Sequence, residues 1–135
     1  MAQTLLTISI LVSGRAETTE KCIQSLAPIM DEIDTELILV DTGCGADLRK
    51  KLELYATKII DFTWCDDFSK ARNVGLSAAS GLWFLYLDDD EWFIDAQDIV
   101  AFFKSGEYKD YTSASYIQRN YLDMEGYQYT DTRVG

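Results

Sequence analysis

Between Thr7 and Phe103 the chain alternates short apolar, partly β-branched runs with stretches of helical periodicity. Thr7 to Val12, Leu37 to Val40 and Leu82 to Leu87 are near-continuous apolar runs of strand length, the pattern of strands buried on both faces. Lys58 to Phe62 is a shorter run of the same kind. Between the first two, Cys22, Ile23, Leu26 and Ala27 share one face of a helix that Thr18 or Thr19 would cap. Pro28, the only proline, should end or kink that helix. Leu48, Leu52 and Tyr55 form the core stripe of a second helix, capped by Asp47 or an earlier residue. Asp67 is the expected N-cap of a third helix running through Ser80, with Gly81 at its C-terminal cap. Asp95 and Asp98 open a fourth, burying Ile99, Phe102 and Phe103 and stopping near Gly106. From Ser113 the pattern becomes that of a β-hairpin, with Met124-Glu125-Gly126 at the turn. Its tyrosines (Tyr116, Tyr121, Tyr127 and Tyr129) suit cross-strand packing better than stacking on a sugar.

The order β-α-β-α-β-α-β-α-hairpin predicts an α/β fold, Rossmann-like, with a mostly parallel sheet sandwiched by helices. One domain is expected over residues 1–135. The last residues are extended and no closing helix follows them, so the chain reads as the N-terminal portion of a longer protein.

Composition narrows the chemistry. With 47% hydrophobic and 13% aromatic residues the chain can build a substantial core. A net charge of −11 argues against nucleic acid, whose phosphates need a basic patch, and against attraction to an anionic membrane. The absence of histidine removes Ser-His catalysis and His-ligated zinc. Cys22, Cys44 and Cys65 are odd in number and lack metal-ligand spacing, so reduced thiols and a cytoplasmic location are expected. No N-terminal stretch reads as a signal peptide, and the apolar runs fall far short of the ~20 residues of a membrane span.

The most informative stretch is Leu82 to Trp92, where an apolar run ends in four adjacent carboxylates, Asp88, Asp89, Asp90 and Glu91. Such crowding raises the pKa of each neighbour unless a divalent cation or hydrogen-bond donors offset it. In open α/β sheets the carboxyl ends of strands are also where ligands bind. Parallel strands would bring three groups to that one rim: Ser13 to Glu17, Asp41-Thr42-Gly43, and the Asp88–Asp90 cluster. Arg72, on the third helix, would add a guanidinium fork for phosphate oxygens. Each group has a plainer reading too: Asp41 as a turn cap, Arg72 as a surface residue paired to Asp66 or Glu91, and the acidic cluster as a solvated turn.

Four segments together resemble the inverting family 2 glycosyltransferases of the GT-A, nucleotide-diphospho-sugar fold. They are Ile8 to Val12, Leu37 to Gly43, Asp67 to Asn73 and Gly81 to Glu91. The resemblance covers roughly residues 7 to 95, and the last two segments are the more specific. It implies that Asp41 accepts from a nucleobase N–H and that Asp88 and Asp90 form the Asp-X-Asp pair. Asp88 would address the ribose and, with Asp90, hold Mg²⁺ or Mn²⁺ on the diphosphate. Asp89 would fill the variable middle position of the nucleotide-sugar site, and Arg72 would meet the nucleotide or its phosphates. The implied donor is a nucleotide-diphosphate sugar, a UDP-sugar foremost, and the acceptor a saccharide or other hydroxyl. The family's general base is expected beyond residue 135. Ser13 and Gly14 stand in the turn after strand one, where family members commonly carry an aromatic residue or Asn. The rival reading is a non-catalytic nucleotide-binding or self-associating module, a homo-oligomer formed through aromatic surface bared by truncation. A receiver domain or a haloacid-dehalogenase-type phosphatase fits poorly, because both need carboxylates directly after strand one.

Overall fold

The computed structural model describes residues 4–114, 116–121 and 129–134, and from residue 116 onward only the backbone. The chain divides into two compact units, Met1–Lys104 and Ser105–Gly135. The first is built on four strands, β1 (Leu6–Val12), β2 (Thr35–Asp41), β3 (Lys58–Asp61) and β4 (Trp83–Asp88). All are parallel, in the order β3-β2-β1-β4. Every residue of β1 is buried, as are the five central residues of β2, which is why both read as unbroken apolar runs.

The helices follow the expected order, with local differences. Helix α1 (Ala16–Ser25) has Arg15 at its N-cap and no side-chain cap. Thr19 is buried, and the Thr18 hydroxyl donates to the Arg15 carbonyl, so neither threonine caps the helix. Pro28 stands in the first turn of α2 (Ala27–Glu32), where its missing N–H costs nothing. Helix α3 (Ala46–Leu52) starts from Gly45 and ends before Tyr55, which is exposed and no part of the core. In α5 (Gln97–Lys104) the buried side chains are Val100 and Phe103; Ile99 and Phe102 are half-buried.

Helix α4 (Phe68–Ala78) begins as the sequence indicates. The Asp67 carboxylate accepts from the backbone N–H groups of Ser69 and Lys70. Asp67→Ala should therefore cost about 1 kcal/mol, seen as a lower denaturation midpoint at unchanged slope. The helix ends two residues before Ser80, and Gly81 is not its cap. A Cβ at Gly81 would lie 2.6 Å from the Thr7 nitrogen and 2.7 Å from its hydroxyl, so glycine is required by close approach to β1. Gly75 does the same work within α4, where a Cβ would collide with the Ser9 hydroxyl. Helix α4 can thus lie directly on the sheet, over a core of Leu11, Ile38, Val40 and Ala71. Elsewhere in this unit Trp83 meets Phe102 and Phe103 edge-on, and α2 packs against α5.

The second unit contains a 3₁₀ turn, Glu107–Asp110, and two strands, β5 (Tyr116–Tyr121) and β6 (Tyr129–Val134), paired antiparallel. The expected Met124-Glu125-Gly126 turn and the packing of the four tyrosines lie outside the described residues. Among the described residues no helix is long and apolar enough to cross a membrane.

Candidate functional site

Register fixes the site. Val12 pairs with Asp41 on β2, and Leu11 pairs with Asp88 on β4. The two carboxylates therefore flank the carboxyl end of β1, separated by two strand spacings, about 10 Å. The chain also reverses its direction of growth there, since β2 and β3 lie to one side of β1 and β4 to the other. A crevice beyond such a switch point is where α/β sheets hold ligands.

On the β4 side the four adjacent carboxylates have separate environments. Asp89 is 3% exposed and turned inward, its Oδ2 accepting from the Ser13 N–H (2.9 Å) and the Ser13 hydroxyl (3.0 Å). It ties the β1–α1 turn to the end of β4. Asp90 is half exposed and accepts from the Arg15 guanidinium at 2.8 Å. Asp88 Oδ1 lies 3.5 Å from Arg72 Nη2, and the Arg72 guanidinium stands 4.6 Å over the Tyr86 ring. Asp88 Oδ1 and Arg72 Nε are both buried without a hydrogen-bond partner. Arg72 pairs with Asp88, and neither Asp66 nor Glu91 holds it. Glu91 closes the turn by accepting from the Asp88 N–H at 2.9 Å. Burial, reinforced by the charges of Asp88 and Asp90, raises the Glu91 pKa.

Behind this rim, burial and the neighbouring acidic side chains push the Cys22 thiol up to about 12, so it is an inert core residue as its helical position suggests. All three cysteines are free.

On the β2 side Asp41 is saturated. Its Oδ1 accepts from the N–H groups of Gly43 and Cys44, both at 2.8 Å, which is the turn cap that its position allows. Its Oδ2 accepts from Arg49 Nη1 at 2.7 Å and from the Cys44 thiol at 3.1 Å. Burial works against the charge, but these donors outweigh it and hold the Asp41 pKa down at about 2. Arg49 Nη1 also reaches Asp61 Oδ1, at 2.6 Å, so one guanidinium nitrogen bridges the ends of β2 and β3. Beside it opens a cleft of about 560 Å³ lined by Asp41, Cys44, Arg49, Asp61, Phe62 and Trp64.

The rim brings together Ser13, Arg15, Asp41 and the carboxylates after β4. Asp41 and Asp88 stand at the ends of the strands on either side of β1 with Asp90 just beyond β4, Arg72 faces Asp88, and Asp89 is withdrawn into the structure. Arg15 belongs to the Ser13 to Glu17 group expected at this rim, and Arg49 is an addition with no distinctive local motif. Arg49 belongs to an Arg-Lys-Lys run that resembles a solvated helix face. Its signal is position: the fourth residue of a helix beginning just after a rim turn points back toward that rim. Among the described residues no three His, Cys, Asp or Glu side chains group to hold a metal ion.

A parallel sheet with carboxylates and arginines gathered at its switch point defines a GT-A-like α/β unit, and solved structures of that kind superpose on it. S. aureus TarS residues 1–349 matches with a TM-score of 0.63 at 17% identity, over 83% of this chain and 34% of that one. The same protein in complex with UDP-GlcNAc matches with a TM-score of 0.55 at 21% identity, over 77% of this chain and 32% of that one. At such identities the likeness is one of fold. Residues 7–129 match glycosyl transferase family 2, and the chain belongs to that family. A TPR repeat-containing protein of Synechococcus elongatus is 40% identical over 98 residues, covering 70% of this chain and 22% of that protein. The chain therefore spans only a part of the length of each of these relatives.

Proposed function

We propose that this chain is the donor-binding portion of an inverting glycosyltransferase. It takes a nucleotide-diphosphate sugar at the rim formed by β1, β2 and β4, for transfer to an acceptor hydroxyl. The observation that carries the reading is the loose Asp88–Arg72 ion pair at the carboxyl end of β4, 3.5 Å long, in which Asp88 Oδ1 and Arg72 Nε are buried without a hydrogen-bond partner. Buried polar atoms without partners are costly, and a site that receives a charged ligand accounts for both.

Asp88 and Asp90 suit a hard divalent cation, Mg²⁺ or Mn²⁺. Such an ion prefers oxygen ligands and is commonly held by one or two carboxylates together with substrate phosphates. When bound, it would neutralise the negative charge that develops on the departing diphosphate. Arg72 and Arg15 are cations at the same rim, placed to exchange their carboxylate partners for phosphate oxygens. Asp41 stays anionic at any physiological pH and can accept a nucleobase N–H in exchange for one of its present donors. A uridine nucleotide is favoured because TarS, which shares the fold, has been solved with UDP-GlcNAc. The general base that would deprotonate the acceptor is assigned to no residue of this chain.

Isothermal titration of UDP, then GDP, with Mn²⁺ and again with EDTA tests the proposal. Binding should require the metal, favour UDP, and fall at least tenfold in Asp90→Ala, the loss of one charge-assisted ligand. A folded protein that binds no nucleoside diphosphate under any of these conditions would overturn it.

A further inference from the structure

The ion pair at the end of β2 bears on which base the site accepts, given the nucleotide site proposed at this rim. Asp41 has two oxygens and four donors: two backbone N–H groups, the Arg49 guanidinium and the Cys44 thiol. The thiol is the weakest of these donors. A base N–H arriving at Asp41 would therefore displace the Cys44 S–H and leave the other three in place. The incoming N–H would then stand beside the Arg49 guanidinium, which lies 2.7 Å from the same carboxylate oxygen. Arg49 is held there by Asp61 at 2.6 Å, and its buried Nε lies 3.8 Å from Glu53 Oε1. The cleft that would admit the base opens on the same residues.

An acceptor and a cationic donor fixed side by side match a ligand edge that offers an N–H next to a carbonyl. Uracil has that edge at N3–H and O4. Cytosine in the same pose turns a lone pair toward Asp41 and an amino group toward Arg49, so both contacts become repulsive. We infer that Arg49 is a specificity-determining residue, reading the carbonyl next to the base N–H that Asp41 accepts, so that the site selects uracil over cytosine. Arg49 reaches Asp41 and Asp61 through Nη1, and Glu53 lies 3.8 Å from its Nε, which leaves Nη2 to be offered to a carbonyl.

The test compares UDP and CDP binding, with Mn²⁺, to the wild-type chain, Arg49→Met and Arg49→Lys. The wild type should prefer UDP. In Arg49→Met, UDP should bind about tenfold more weakly while CDP changes little or improves, so the preference collapses. Arg49→Lys, which keeps the charge but not the fork, should retain only part of the preference. A purely structural Arg49 would weaken both ligands alike, so an unchanged UDP-to-CDP ratio in Arg49→Met overturns this inference and leaves the nucleotide site intact. Wild-type protein that binds neither ligand overturns the nucleotide site and this inference with it.

Discussion

Asp89→Ala is expected to destabilise the fold by about 2–3 kcal/mol and to lower UDP affinity by more than a hundredfold at temperatures where the variant remains folded. Asp89 is almost wholly buried, and its Oδ2 accepts two hydrogen bonds from Ser13, 76 positions away in sequence. Its other oxygen lies 3.9 Å from Arg15 Nε. Alanine would strand the Ser13 N–H without a partner and remove the fastener between the β1–α1 turn and the end of β4. Arg15 and Asp90 sit on opposite sides of that fastener, and Asp88 directly precedes it. Their alignment, and not only one ligand contact, would be lost, which is why the effect should exceed that of Asp90→Ala. Asp89→Asn preserves the shape and one good acceptor, so it should lie between alanine and wild type. Denaturation midpoints together with titration of UDP in Mn²⁺ check this. An Asp89→Ala protein with wild-type stability and affinity would refute the anchoring role.

That role also marks where the sequence stops being informative. Strands β1, β2 and β4 could be placed because continuous apolar runs encode burial on both faces. Their carboxyl-terminal residues, Asp41 and Asp88, could be placed at one rim because parallel strands leave no other arrangement. The Asp67 cap was legible for a similar reason: an N-cap is a contact within three residues. Contacts across long separations were not. Asp88, Asp89 and Asp90 are alike in sequence, and only the turn after β4 sends the middle one inward. Gly81 has the spacing of a helix cap, but its function is set by Thr7, 74 residues earlier. Arg49 looks like one more basic residue on a helix until β3 brings Asp61 beside Asp41. Tyr55 keeps helical spacing with Leu48 and Leu52, yet α3 ends at Leu52 and leaves it in solvent.

Glu36→Ala should cost about 3 kcal/mol with no direct effect on the rim, because Glu36 lies at the opposite end of the sheet. It is 6% exposed and pairs in register with Thr7. The Thr7 hydroxyl donates to Oε1 at 2.6 Å, the Ser80 N–H donates to the same oxygen at 2.5 Å, and the Ser80 hydroxyl donates to Oε2 at 2.8 Å. Thr7 Oγ1 in turn accepts from the Gly81 N–H at 2.9 Å. One carboxylate thus fastens β1 and β2 to the chain that enters β4, at the point where Gly81 crosses closest. Alanine would leave the Ser80 N–H and two hydroxyls facing a gap. Glutamine would keep one acceptor and one shape, and should cost less.

Burial works against the Glu36 charge, but the bonds from Thr7 and Ser80 outweigh it, and the pKa in the folded protein falls below the ordinary 4.5. A depressed carboxylate stabilises the fold fully above its unfolded pKa, and that contribution disappears as pH falls through the folded value. Wild-type stability should therefore drop below about pH 4.5 more steeply than that of Glu36→Gln, whose amide does not titrate. Denaturation midpoints between pH 7 and pH 3 would show the two curves converging toward acid. Parallel curves would mean that Glu36 gains nothing from its partners on folding, and that the closure of β4 onto β1 depends on packing at Gly81 alone.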